Sequence, residues 1–305
     1  MAKTPSNDET RRAEAEAEVD NHTTEPLLPT RRQRLAPSLR VPFEVVNRVR
    51  RQAVGRVWSV DMLRWPEVPY GPFPEQRMRI WELDDLAPRD GWPAVLLLHG
   101  GGWTGGSPEE FTAFAPKLAR NGWYVSAVRY RLAESHSISD ALEDVLAAID
   151  FIHHQQVDRR KVALWGYSAG AHLALLAAQR VPDQIAAVVC VAPATDPAQL
   201  PEFENLFAPE EREVLSPMAA EPLQAPPILL VHGTADEVVP FQQSRDFAER
   251  NPAAELLPVP NGDHGLRWPP LRANDARRRA VQWLRAQLGD VKRGSKWKIR
   301  KKKSR

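Results

Sequence analysis

Apolar positions follow two rhythms along the chain. From about residue 77 onward, short strand-like runs, 94–98 continuously apolar, alternate with segments whose apolar residues recur every three or four positions. The runs at 77–83, 94–98, 123–128, 161–165, 185–191, 227–231 and 255–259 predict strands. The periodic segments at 108–121, 138–156, 169–180, 241–249 and 277–288 predict helices; in the second, the stripe passes through Ala141, Val145, Ala148 and Ile152. Continuous apolar strands alternating with helices predict an α/β fold with a mostly parallel central sheet covered on both faces.

Three stretches break this rhythm. Residues 1–40 mix Glu, Ala, Thr, Pro and Arg without apolar periodicity, so they are expected to be disordered. Between 41 and 75, Val46, Val49, Ala53 and Val57 form one face of a helix, and 59–75 reads as irregular, rich in Trp, Pro and Tyr. Residues 193–221 carry several prolines and acids with Phe203, Leu206 and Phe207, too long for a simple loop and too short for a domain. They are expected to form a lid-like insertion. The predicted organisation is a disordered 1–40, an α/β domain at 41–290, and a basic tail at 291–305.

Composition narrows the function classes. The formal charge of +2 conceals nine basic side chains and no acid in residues 291–305. Removing those nine charges leaves −7 on residues 1–290. A basic nucleic-acid-binding domain is thereby disfavoured, and contact with an anionic surface is assigned only to the tail. The single cysteine, Cys190, rules out an intrachain disulfide, and no Cys/His cluster suggests a metal. No apolar run in the first forty residues suits a signal peptide, and none reaches spanning length. The expected location is cytoplasmic. Oligomeric state has no signature in the sequence.

Chemistry enters at strand ends. Gly166-Tyr167-Ser168-Ala169-Gly170 lies between a strand and a helix. That context lifts a serine to the C-terminal edge of a sheet, at a helix N-terminus, where backbone N–H groups and the helix dipole favour a developing oxyanion. An earlier strand ends in His99-Gly100-Gly101-Gly102-Trp103. Its glycines allow close backbone approach, so Gly101, Gly102 and Ala169 are candidate oxyanion donors. A phosphate cradle is not supported, since no Gly-Lys-Ser/Thr follows. Asp236 follows strand 227–231, and His264 sits in the glycine-flanked loop after 255–259. In the order Ser168, Asp236, His264 they suit a nucleophile, an orienting acid and a base. Glu237, Asp263, Asp196 and His232 compete for those roles from neighbouring positions; His232 is read as structural, and His172 as packing within the helix. Trp103 and Tyr167, with the 193–221 insertion, are expected to line the acyl or alcohol pocket.

With these residues in place, the chain resembles the α/β-hydrolase fold esterases, in particular the hormone-sensitive-lipase-like group with its HGGG loop. The resemblance rests on His99–Trp103, Tyr130-Arg131-Leu132-Ala133-Glu134, Ala141-Leu142-Glu143-Asp144-Val145, 163–172, Asp236 and His264, and covers roughly residues 65–288. The group usually has a proline between the equivalents of Ala133 and Glu134. Tyr70-Gly71 and Trp103 are similar to the arylformamidase and feruloyl-esterase-like branch. The resemblance implies hydrolysis of a small-molecule carboxylic ester through an acyl-serine, with no metal or organic cofactor. The alternatives are formamide or amide cleavage on the same three residues, or a non-catalytic binding protein of this fold.

Overall fold

A computed structural model describes residues 62–83, 85, 87–220, 225–266 and 270–291. The predicted disordered segment 1–40, the helix through Val46–Val57 and nearly all of the basic tail lie outside these residues.

Eight strands form one sheet: β1 Met62–Pro69, β2 Arg77–Leu83, β3 Trp92–Leu98, β4 Tyr124–Val128, β5 Val157–Tyr167, β6 Ala187–Val191, β7 Ile228–Gly233 and β8 Ala254–Val259. Their spatial order is β1-β2-β4-β3-β5-β6-β7-β8. The pairs β1/β2 and β2/β4 are antiparallel, and every pair from β4 to β8 is parallel. Among the described residues five α-helices accompany the sheet: α1 Ala115–Ala119, α2 Ile138–His153, α3 Ala169–Arg180, α4 Phe241–Arg250 and α5 Pro270–Leu288.

The central strands read as unbroken apolar runs because both of their faces are covered. All seven residues of β3 are buried. Their side chains alternate between faces: Leu96 and Leu98 join the core that includes α2 and α3, whereas Val95 and Leu97 join the core under α1 and α5. At one fully buried leucine of this kind, truncation to alanine typically costs about 2–5 kcal/mol. The long helix α2 starts where its sequence supplies a capping box. Ser137 Oγ accepts from the Asp140 N–H at 3.0 Å while Asp140 Oδ2 accepts from the Ser137 N–H, also at 3.0 Å.

Two predicted elements differ, and the 193–221 insertion acquires detail. The irregular reading of 59–75 missed β1, an edge strand with a register shift between Trp65 and Val68 and a positive φ at Glu67. Proline is tolerated at an edge, where one side of the strand needs no ladder partner, so Pro66 and Pro69 were misleading. The helix expected at 108–121 is split into a 3-10 turn, Pro108–Phe111, and the short α1. The 193–221 insertion contains two 3-10 segments, Pro197–Gln199 and Pro201–Leu206. Leu200, Phe207 and Leu215 of this insertion are buried in the main core.

Candidate active site

The chain leaves β5 and enters α3 through a turn at Ser168, whose φ of 51° and ψ of −119° lie outside the regions favoured by L-residues. Holding a side chain there costs about 1–3 kcal/mol, and the flanking contacts must supply it. Ser168 N–H donates to Val191 O at 2.8 Å, and Ser168 O accepts from the Ala171 and His172 N–H groups at 2.9 and 3.0 Å. The two glycines of the pentapeptide serve close approach. A Cβ on Gly166 would lie 2.4 Å from Ala171 Cα, and one on Gly170 2.3 Å from the carbonyl oxygens of Leu98 and His99. The strain therefore sits on the serine itself, and the glycines let α3 press against β5 and the end of β3.

Loops after β7 and β8 bring two more side chains to this edge. His264 Nε2 lies 3.0 Å from Ser168 Oγ, and His264 Nδ1 lies 2.7 Å from Asp236 Oδ2. An ionised carboxylate only accepts, so Nδ1 carries the proton and Nε2 faces the hydroxyl as an acceptor. Ser168 and Asp236 are buried, and the His264 side chain retains 17% exposure. Burial alone would raise the pKa of Asp236. Hydrogen bonds from His232 and His264 and from the Val239 N–H outweigh burial and hold the carboxylate far below its ordinary range. Oδ1 accepts from the N–H groups of Val238 and Val239, both at 2.9 Å.

His232 is a member of this cluster that sequence reasoning set aside as structural. It is fully buried at the end of β7, and its Nε2–H faces both Asp236 Oδ2 at 3.0 Å and Val239 O at 2.9 Å. Val239 O can only accept, so Nε2 bears a hydrogen and Asp236 receives donors from two imidazoles. The i, i+4 spacing of His232 and Asp236 across a strand-end turn was the available signal. Neither Asp196 nor Glu237 hydrogen-bonds an imidazole among the described residues; Asp196 Oδ2 accepts from Gln199 instead.

The glycine loop after β3 is braced from several directions. Gly101 and Gly102 have φ of 115° and 58°, and a Cβ on Gly101 would meet the Gly105 backbone at 2.3 Å. His99 stacks on Tyr130 with ring centroids 4.2 Å apart, and Tyr130 Oη donates to His99 O at 2.7 Å. Trp103 O accepts from the Ala133 N–H at 2.8 Å. The Tyr130–Glu134 stretch is thus a buttress for this loop. Arg131 is anchored in turn by Asp144, which also accepts from Gln76 Nε2 at 2.6 Å. Among the turn, loop and cap hydrogen bonds of the described residues, none is donated by the N–H of Gly101, Gly102 or Ala169.

Trp103, expected to line the pocket, is enclosed by aromatic side chains, whereas Tyr167 is half-buried. The Trp103 indole is 2% exposed and stands edge-on to His172, Phe203 and Phe207. Its Nε1–H donates to His172 Nδ1 at 3.1 Å, and His172 Nε2–H donates to Leu215 O at 2.7 Å. An indole N–H needs an acceptor once buried, and His172 supplies it. Burial lowers the pKa of His172 to about 4, so the ring stays neutral in this geometry. Tyr167 Oη donates to His264 O at 3.2 Å and so ties down the loop after β8. Among the described residues no group of His, Cys, Asp and Glu side chains could hold a metal ion. No described helix is long and apolar enough to cross a membrane.

Comparison with known proteins agrees with this geometry. Residues 95–225 match a family described as alpha/beta hydrolase fold. The chain is 29% identical to Esterase LipC of Mycobacterium tuberculosis, over 65% of its own length and 59% of that protein's. It is 30% identical to Esterase LipQ of the same organism, over 66% and 56%. The chain therefore spans less than two thirds of these relatives' length. A solved structure of Thermogutta terrifontis esterase 2, phosphoramylated by tabun, superposes with a TM-score of 0.66 at 25% identity, covering 74% of this chain and 96% of that one.

Proposed function

The chain is an α/β-hydrolase-fold protein, and we propose that it hydrolyses small carboxylic esters through an acyl intermediate on Ser168. The observation that carries the reading is the unbroken line Ser168 Oγ, His264, Asp236, at 3.0 and 2.7 Å, set beside the glycine loop. His264 Nε2 takes the hydroxyl proton as Oγ attacks the ester carbonyl. Negative charge then develops on the former carbonyl oxygen, next to the N–H groups of Gly101, Gly102 and Ala169. One such donor is typically worth about 10²–10³ in turnover. The intermediate collapses as His264 protonates the departing alcohol. A water then repeats the sequence on the acyl-serine, with the same imidazole as base. Asp236, ionised across the working pH range, holds the tautomer that leaves Nε2 free to accept.

The relatives support an ester rather than a formamide: both mycobacterial proteins are named esterases, and the neighbouring structure is of an esterase. The test compares short p-nitrophenyl esters with N-formyl aryl amides on the wild type and on Ser168→Ala. Ester turnover should dominate and vanish in the variant. Faster formamide turnover would overturn the ester assignment, and undiminished turnover by the variant would overturn the nucleophile.

A further inference from the structure

Beneath the catalytic edge, on the α1/α5 face of the sheet, lies a cavity of about 600 Å³. Neither Ser168 nor His264 lines it. Its apolar interior includes Phe111, Phe114, Leu118, Trp165, Leu266 and Val281. Ligand pockets for drug-sized molecules occupy roughly 300–1,000 Å³, so the space suits a small amphiphile.

The direction of the cavity follows from the topology. β5 runs toward Tyr167 and the catalytic edge, and Tyr167, Gly265 and Leu266 line the cavity at that end. From there α5 runs along it from Asn274 to Arg285. Eleven rises of about 1.5 Å make that wall about 16 Å long. At the far end Arg285 donates to Asn121 Oδ1 at 2.5 Å, closing α5 onto the turn that follows α1.

Charge on the lining is one-sided. Lys117, Arg277, Arg278 and Arg285 face a single acid, Glu110. Glu110 sits at the other end, where its carboxylate accepts from the Ser107 N–H at 3.2 Å. Arg278 is paired with Asp275, Arg277 holds Leu266 O at 2.9 Å, and Arg285 Nε lies 4.0 Å from Asp290 Oδ1 at the outer edge of ion-pair range. Lys117 has no ion pair among the described residues, so it and the Arg285 guanidinium are the cations facing the far end of the cavity. An apolar channel beside a cationic rim is complementary to a chain with one anionic head.

We propose that this cavity is a second ligand site, distinct from the ester site, that binds a single-chain fatty carboxylate. The chain lies along the Phe114–Trp165 interior and the carboxylate sits among Lys117 and Arg285. The inference is independent of the esterase reading, because it concerns binding rather than turnover.

Isothermal titration calorimetry with decanoate tests it, on wild type and on protein whose Ser168 carries a small phosphonate. Decanoate should bind at one site per chain with the same affinity in both. Decanol, with the same chain and no charge, should bind at least about tenfold more weakly. Lys117→Glu should weaken decanoate about tenfold and Lys117→Arg should not. Ala113→Trp, at an exposed lining position, should abolish binding while leaving hydrolysis of a short ester unchanged. Loss of decanoate binding on phosphonylation would place the ligand in the ester site and overturn the proposal. Equal binding of decanol, or indifference to both Lys117→Glu and Ala113→Trp, would overturn it as well. Failure of the esterase reading would show as absent turnover with decanoate binding intact.

Discussion

Two histidines approach the Ser168 turn, and their surroundings are opposites. His264 hangs from a loop, keeps some solvent contact, and joins a hydroxyl to an ionised carboxylate. His172 lies one turn into α3, is fully buried, and joins an indole N–H to a backbone carbonyl. The same imidazole is proposed to move a proton in one place and holds a fixed tautomer in the other. What separates them is a charged partner: His264 has Asp236 to stabilise its protonated form, and His172 has only neutral dipoles in a dry setting. In the proposed mechanism the His264 region is the reactive line, while the Trp103–His172–Leu215 region braces the glycine loop, helix α3 and the 193–221 segment against one another.

That contrast breaks most decisively at the reactive line. His264→Asn should lower kcat by about 10⁴–10⁶-fold with little change in folding, whereas His172→Asn should lower stability far more than it lowers kcat. Steady-state kinetics alongside urea titration separates the two outcomes. Next in size is His232, which donates to Asp236 from inside the fold. A hydrogen bond to a charged group contributes about 1.5–3 kcal/mol, so His232→Phe should cost roughly 10–100-fold in kcat. Removing that donor also raises the Asp236 pKa. The acid limb of the rate profile should therefore move to higher pH, a change that a purely structural role would not produce.

A third test uses pH on the brace. The folded pKa of His172 is lowered to about 4 by burial, below its unfolded value near 6.5. Between those values the unfolded chain takes up a proton that the folded chain refuses, so stability falls as pH drops from about 6.5 to about 4. The same holds for His99, also buried and lowered to about 4. Each contributes a loss of about 3 kcal/mol across that window. Denaturant titrations at the two ends should show it, and a variant lacking His172 should show a shallower slope. Asp236 behaves oppositely: its depressed pKa stabilises the fold above about pH 4, and that stabilisation fades only in stronger acid. The smallest expected effect is Trp103→Phe, which keeps most of the packing but strands His172 Nδ1. A cost of about 1 kcal/mol is expected, measured by the shift in denaturation midpoint.

Much of this was readable from the sequence because strand ends carry the site. The order and approximate bounds of β2 through β8 follow from apolar runs, and Ser168, Asp236 and His264 follow from the turns that terminate three of them. What escaped was set by contacts between distant segments. β1 contains prolines that a central strand would exclude, and only its edge position permits them. Trp103 looks like a pocket residue by its place after the glycines, yet Phe203, Phe207 and His172 enclose it from 69 to 104 residues away along the chain. Local sequence carries no signal for such enclosure. His232 was legible only as a neighbour of Asp236, since its value to the carboxylate depends on which way the strand-end turn folds.

The most direct test of the central claim is covalent. The folded protein should react with a fluorophosphonate at one site per chain, as a related esterase fold is found phosphoramylated by tabun. Peptide mapping by mass spectrometry should place the adduct on Ser168, and His264→Asn or prior denaturation should slow its formation by orders of magnitude. An adduct on another residue, or labelling of Ser168 at the same rate in folded and denatured protein, would contradict the account.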